Sequence, residues 1–138
     1  MFIHENVLED LDLNTINENG KRYYVTPTGE KYPSVTTVLS NYKKEALFKW
    51  RKRVGEKEAN KISTQASRRG TKVHKLCEDY LNNELSFDDY TPDNVVIFKS
   101  IQSILNEIEL VYGQERTLFS NHLRVGGRVD CVGKFRGK

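Results

Sequence analysis

The sequence has few of the residues that mark secreted, fibrous or membrane-spanning proteins. It contains two cysteines and three prolines in 138 residues, and its mean hydropathy is −0.66. Two cysteines, Cys77 and Cys131, are too few for a disulfide framework, and they are not spaced like a zinc site. No apolar run approaches the roughly 20 residues that span a bilayer. We therefore expect a soluble protein from a reducing cytoplasm.

The first residues also lack the basic stretch and apolar core of a secretory signal. The length suits one domain with a modest core. We expect residues 1–21 to form an acidic N-terminal arm and residues 22–138 to form a single domain. Within the arm, scattered leucines allow a loose segment or a short helix.

Charge is unevenly spread although the net charge is only +3. Residues 43–75 carry twelve bases and three acids, and residues 116–138 carry six bases and one acid. Between them, residues 76–115 carry nine acids and one base. Such basic blocks are common on solvated helix surfaces. They are also typical of surfaces that contact nucleic-acid phosphates, because clustered Lys and Arg release bound counterions.

Local patterns predict an α/β protein in which helices precede a final hairpin. Pro27-Thr28-Gly29-Glu30 predicts a turn within a small N-terminal hairpin, Ser34 is a helix N-cap, and Thr91-Pro92 starts a helix. Gly126-Gly127 indicates a bulge or a close backbone approach. The expected elements are a hairpin over 22–33, a short helix over 35–39, long helices over about 44–60, 63–83 and 91–112, and strands over 115–120 and 123–135.

His74 and Glu78 are the first candidate functional pair. They lie four residues apart, about 40° around a helix axis, so they share one face. We expect that face to border the buried stripe of Val73, Leu76 and Cys77. Taken alone, this spacing is more often a boundary histidine beside a surface glutamate than a functional pair.

Asp130 and Glu115 are candidates on the predicted strands. Asp runs against strand propensity, and Asp130 sits in an apolar stretch where an unpaired charge is costly. The simpler interpretations are an edge aspartate paired with an arginine and an exposed glutamate at a strand start. Together with His74 and Glu78, however, these acids suit a hard cation such as Mg²⁺, which can support phosphodiester cleavage. A zinc site from His74, Cys77, His122 and Cys131 is disfavoured, because His74 and Cys77 lie on different sides of their helix.

Two motifs in this order resemble the PD-(D/E)xK nuclease superfamily. They are Arg69-Gly70-Thr71-Lys72-Val73-His74 with Glu78, and Gly127-Arg128-Val129-Asp130-Cys131-Val132-Gly133. The chain is most similar to the RecB-type branch that includes mitochondrial genome maintenance exonucleases and phage exonucleases. The resemblance runs from Tyr32-Pro33-Ser34-Val35-Thr36 onward.

The resemblance implies a restriction-endonuclease-like core, with a mixed central sheet flanked by helices. It implies a Mg²⁺-dependent exonuclease, with Mn²⁺ as a substitute, that cuts DNA at single-stranded ends during phage or organelle-type replication and repair. A bacterial or phage-infected cell would be its setting. His74, Asp130 and Glu78 would be catalytic, and His74, Asp130 and Glu115 would hold the metal. The expected DNA contacts are Ser34, Thr36, Arg68, Arg69 and Lys72.

The sequence departs from the family pattern after Asp130. The family has a further strand with an acid-x-Lys motif, and neither Lys134 nor Lys138 has an acid at the needed spacing. We therefore expect a core that is incomplete at its C-terminus, completed by a further C-terminal segment or another protein. The alternative is a non-catalytic nucleic-acid-binding module, or an inactive fragment of such a nuclease.

The missing motif predicts that the isolated 138-residue chain cleaves DNA poorly or not at all, because its second acid and lysine are absent. Incubating purified chain with single-stranded DNA and Mg²⁺ checks this. Robust degradation that Asp130→Ala abolishes would contradict the prediction.

Overall fold

The structure, a computed structural model, describes all 138 residues and has mixed α/β architecture. Its two small sheets are three-stranded, in the orders β1-β5-β6 and β2-β3-β4. None of the helices combines the length and apolar composition that a membrane crossing requires. In chain order the elements are β1 Ile3–His4, β2 Thr15–Glu18, β3 Lys21–Val25, β4 Lys31–Pro33, α1 Val35–Val54, α2 Glu56–Leu81, α3 Pro92–Leu105, β5 Ile108–Ser120 and β6 Val125–Phe135.

This confirms the mixed α/β class with three long helices, while the restriction-endonuclease-like core stays a prediction. The chain divides into two compact units. The first comprises Met1–Val7, Val54–Gln114 and Cys131–Lys138, and the second comprises Leu8–Arg53 and Glu115–Asp130. The expected single domain over 22–138 stays a prediction too. The two units are defined by contacts within the chain, and such a unit need not fold independently as a domain does.

The N-terminal hairpin and its cap are confirmed. β3 pairs antiparallel with β4, with Tyr24 opposite Tyr32, and Gly29 turns the chain at a φ of 85°. The Ser34 hydroxyl then accepts a 3.1 Å hydrogen bond from the Thr37 amide. This satisfies one of the amide groups that a helix start leaves without an intrahelical partner.

The predicted helix bounds after Ser34 are wrong. The short helix over 35–39 and the helix from 44 form one element, α1, which ends at Val54. Gly55, predicted to lie inside a helix, separates α1 from α2 at a φ of 89°. Only glycine adopts that conformation at low cost. α2 therefore starts at Glu56, seven residues before the expected start, and runs to Leu81.

The third helix is shorter than predicted. Pro92 occupies the first turn of α3 as expected, but the helix ends at Leu105. Residues 108–112 belong to β5, which is thirteen residues long. The apolar spacing of Ile101, Ile104, Leu105 and Ile108 fits a helix, so periodicity alone extended the helix into the strand.

The acidic N-terminal segment is not a loose arm or a helix. β1 pairs in parallel with β5, with Ile3 opposite Leu110, and β2 pairs antiparallel with β3. Asn19 and Gly20 both have positive φ values, 53° and 74°, which is the backbone that a two-residue hairpin turn requires. Asp10 accepts hydrogen bonds from the Thr117 hydroxyl and amide, which lower the pKa of that carboxyl to about 2.

The first unit packs around aromatic and aliphatic side chains. Leu76, Phe98 and Val111 are fully buried. The Tyr80 ring meets Phe98 edge to face, with centroids 5.3 Å apart. Leu76 comes from α2 and Phe98 from α3. The core therefore determines which face of α2 is buried, and the polar residues of α2 must lie on its remaining faces.

The second unit packs around two tyrosines of the hairpin, Tyr24 and Tyr32, which are 4% and 3% exposed. The Tyr32 hydroxyl donates to Asn121 at 2.8 Å. Gly126 lies so close to Tyr24 that an added Cβ would stand 2.7 Å from the tyrosine Cβ. The close approach expected from Gly126-Gly127 is thereby confirmed for Gly126.

Acids on β5, and one just before it, face bases on β6 and just after it along the final hairpin. Arg136 binds both carboxylate oxygens of Glu107, one of them at 2.7 Å. Lys134 meets Glu109 at 2.9 Å, and Arg128 meets Glu115 at 2.7 Å. From one pair to the next, the residue number of the acid rises by as much as the residue number of the base falls. The three pairs therefore follow one antiparallel register.

The tight contact at Gly126 predicts that Gly126→Ala lowers the free energy of unfolding by about 1–3 kcal/mol, because the new methyl group overpacks against Tyr24. Gly127→Ala is the matched control. Its Cβ would meet Val35 at an ordinary 3.4 Å, so we expect a change within about 0.5 kcal/mol. Urea unfolding measures both, and equal effects would contradict the prediction.

Candidate functional site

His74 and Glu78 share one face of α2, as predicted. The Leu76 side chain of the same helix is fully buried, whereas His74 is exposed and the Glu78 side chain is 24% exposed. Of the two residues expected to border the buried stripe, Glu78 is therefore half-buried and His74 is exposed. An exposed imidazole and a partly exposed carboxylate, one helical turn apart, can both reach a ligand from solution.

Lys75 neutralises part of the acidic charge beside this pair. Its ammonium group lies 2.9 Å from Asp79 and 3.5 Å from Glu78. The hydrogen bond to Asp79 is the main reason that the pKa of Lys75 is raised. Glu78 is therefore the more weakly bound partner of Lys75, and its carboxylate stays available to another cation.

Arg68, Arg69 and Lys72 precede His74 on α2, by six, five and two residues. With Gln65 they line a cavity of about 340 Å³ that also includes Asp93 and Asn94, in the first turn of α3. Asp93 hydrogen-bonds to Thr91, and the nearby Arg69 further lowers the pKa of its carboxyl. The structure thus gathers the three predicted phosphate contacts around one cavity, and Arg69 already balances an acid there.

Gly70 lies inside α2, where glycine costs about 1 kcal/mol relative to alanine. An added Cβ would meet nothing within 4 Å, and the backbone φ is not positive. Neither packing nor backbone conformation within the chain therefore requires a glycine here. Close approach of a ligand to the helix backbone is a physical reason that remains.

Glu115 lies in the middle of β5, not at a strand start. Its φ is 52°, a left-handed conformation that costs a non-glycine residue about 1–3 kcal/mol and concentrates at functional sites. Its side chain is 18% exposed, and its carboxylate meets Arg128 Nε at 2.7 Å. The interpretation of Glu115 as an exposed residue at a strand start is wrong.

Asp130 lies on β6, as predicted, but it is exposed. The expectation that its charge is costly by burial is therefore wrong. Its neighbours explain the difference, because Arg128 is also exposed whereas Val129 between them is half-buried, in the alternation of a strand with one solvated face. The carboxylate is thus presented toward solvent from a regular element.

Ser34 and Thr36 line a groove of about 530 Å³ in the second unit. That volume lies within the range of small-ligand sites. Arg22 and Arg128 also line the groove, and apolar residues such as Tyr24 and Phe119 form most of its remaining wall. Ser34 itself is 2% exposed and its hydroxyl caps α1, so Thr36 is the more accessible hydroxyl.

Within each unit, the structure brings part of the predicted set together. In the first unit, α2 presents His74 with Glu78, and the three basic residues share a cavity. In the second unit, Ser34 and Thr36 share a groove. No sequence pattern indicated that Arg22 and Arg128 also line this groove, although Arg128 belongs to the Gly127–Gly133 motif.

Comparison with known proteins gives no relative. No family model matches the chain, and neither a curated protein nor a solved structure is significantly similar to it.

The open surroundings of Gly70 predict that Gly70→Ala raises the free energy of unfolding by about 0.5–1 kcal/mol, because alanine is the better helix former and nothing in the chain obstructs its methyl group. Urea unfolding of the two proteins measures the change. A loss of stability would show that the chain itself needs glycine at this position.

Proposed function

We propose that this chain carries the metal-binding and DNA-binding residues of a Mg²⁺-dependent deoxyribonuclease of the PD-(D/E)xK kind, acting on single-stranded DNA ends. The reaction is hydrolysis of a phosphodiester bond, in which water attacks phosphorus and a sugar hydroxyl leaves. The restriction-endonuclease-like core, and a place in phage or organelle-type replication and repair, belong to the same proposal.

The observation that carries the proposal is that one motif lies on a helix and the other on a strand, as the resemblance implies. Arg69-Gly70-Thr71 with His74 and Glu78 occupies one long helix, and Asp130 occupies the second strand of a later hairpin. The resemblance implies that order of helix and strand. Gly70 supports it, because the chain itself does not explain a glycine inside α2.

The donor atoms suit the proposed ion. Asp130 and Glu115 offer carboxylate oxygens, which Mg²⁺ and Mn²⁺ prefer, and His74 offers an imidazole nitrogen, which favours Mn²⁺ more than Mg²⁺. A bound divalent ion would lower the pKa of a coordinated water and neutralise charge on the phosphate. Glu78 would orient His74 or a metal-bound water by hydrogen bonding.

The chain's own residues would hold the substrate. Arg68, Arg69 and Lys72 supply positive charge on α2, where an arginine can bind a phosphate through two parallel hydrogen bonds. Thr36 can donate its hydroxyl to a phosphate oxygen in the groove of the second unit. Ser34 would contribute mainly by capping α1, which keeps the Thr36 segment in place.

The position of Lys134 favours the second candidate, a binding module without catalysis. In the family pattern a lysine after the second acid acts on the attacking water. Lys134 instead meets Glu109 at 2.9 Å, which raises the pKa of the lysine. A lysine held in its protonated form is a poor base, so Lys134 is not suited to take the proton of an attacking water.

Isothermal calorimetry with Mn²⁺ and Mg²⁺ tests the metal site. We expect His74→Ala and Asp130→Asn each to weaken Mn²⁺ binding at least about 10-fold, since each removes one of few ligands. Glu115→Gln should have a similar effect. His122→Ala and Asp79→Asn are matched controls, which remove the same groups from positions outside the proposed ligand set and should leave binding unchanged.

The outcome separates the two candidates. Metal binding that depends on His74 and Asp130 supports the nuclease. If the substitutions do not change metal binding, or if no metal binds, the nuclease proposal fails. DNA binding that persists in that case, and weakens steeply with salt, supports the binding module.

A further inference from the structure

α1 is twenty residues long and has no buried residue. Large apolar side chains on it are exposed, including Tyr42 at 83% and Phe48 at 71%. A helix with this much exposed aromatic surface presents a candidate contact for another molecule.

One face of α1 places an aromatic ring between two positive charges. Asn41, Lys44, Phe48 and Lys52 follow each other at spacings of three and four residues, so they form one stripe, which we call the Phe48 face. Lys44 and Lys52 lie one turn before and one turn after Phe48, about 6 Å along the helix axis in each direction. All four residues are exposed.

The charge of this face is not neutralised within the chain. The only acid beside the stripe, Glu45, pairs with Lys49 at 3.1 Å. Lys44 and Lys52 make no salt bridge. Across the whole helix, six bases accompany that single acid. The face therefore fits a polyanion that can also offer an apolar planar group.

We propose that the Phe48 face binds single-stranded nucleic acid, with a base stacked on the Phe48 ring and the flanking phosphates on Lys44 and Lys52. Alternating aromatic and basic contacts are how proteins hold single strands without reading their sequence. The inference deepens the proposed function by giving it a single-strand contact away from the metal-site residues. It rests on the proposed nucleic-acid partner, but it does not require catalysis.

A single strand fits this face better than other polyanions do. A duplex keeps its bases stacked and paired, so it would use the lysines and leave the Phe48 ring unused. An anionic membrane would favour a continuous apolar face, whereas Phe48 is the one apolar side chain in this stripe. The chemistry is shared by single-stranded DNA and RNA, and the experiment includes both.

Fluorescence anisotropy of the full 138-residue chain, in EDTA to exclude metal, measures binding to labelled oligothymidylate, oligouridylate and a DNA duplex. We expect Phe48→Ala to weaken single-strand binding about 10-fold, in the range found when one stacked base loses its ring. Phe48→Trp should restore it. Lys44→Ala and Lys52→Ala should each reduce the salt dependence by about one phosphate contact.

Two controls on the same helix separate a local contact from general effects. Leu39→Ala truncates an exposed apolar side chain on the opposite side of α1, and Lys43→Ala removes one charge about 140° from Phe48 around the axis. Both should bind like the wild type in affinity. Because all these positions are exposed, circular dichroism should show unchanged folding.

The inference is overturned if Phe48→Ala binds single strands as the wild type does, or if it weakens duplex binding equally. Absence of any single-strand binding by the wild type also overturns it. Since these assays contain no metal, such a failure leaves the calorimetric test of His74 and Asp130 unaffected. A preference for oligouridylate would identify RNA as the favoured single strand.

Discussion

Ion pairs along the β5–β6 hairpin hold its two strands in register, and the positions of the candidate residues on these strands depend on that register. Glu109 and Glu115 on β5 face Lys134 and Arg128 on β6, and Glu107, just before β5, faces Arg136, just after β6. Partly exposed ion pairs add little stability. They do specify register, because a slip by one residue would separate every pair and turn each side chain to the other face. That register keeps Arg128 beside Glu115, and Asp130 on the same solvated face of β6.

The same hairpin contains the one strained residue among the candidates. Glu115 keeps a left-handed backbone inside a strand, and its partly buried carboxylate is held by Arg128. A single residue therefore combines backbone strain, partial burial and charge pairing, which is a stronger sign of function than any of the three alone. On α2 the corresponding sign is Gly70, whose cost to the helix has no packing explanation inside the chain.

Local signals in the sequence predicted the elements that are fixed by local chemistry. The Gly29 turn, the Ser34 cap and the Pro92 helix start were correct, because each depends on one residue and its immediate backbone. Asn19-Gly20 carried an equally local signal for the β2–β3 turn, but the acidic character of the segment led us to expect an arm. The start of β5 was not predictable from periodicity, since Ile108 continues a helical spacing and its strand depends on partners in β1 and β6.

The candidate site was predictable in its composition and less so in its exposure. A spacing of four residues is enough to place His74 and Glu78 on one helix face. Burial depends on what packs around each residue, so Asp130 was expected to be shielded and is exposed, while Glu115 was expected at the surface and is mostly shielded. Phe48 could not be singled out from sequence, because an aromatic residue on a helix is usually packed and α1 has no buried face.

We propose that a divalent ion binds to His74, Glu115 and Asp130, and paramagnetic relaxation by Mn²⁺ measures where such an ion binds. In an amide NMR spectrum of the labelled chain, substoichiometric Mn²⁺ broadens signals near its binding site. We expect broadening centred on residues 74, 115 and 130, and we expect Asp130→Asn to remove it. Broadening confined to the acidic segment between α2 and α3, which contains Glu84, Asp88 and Asp89, would contradict the proposal, as would an unchanged spectrum.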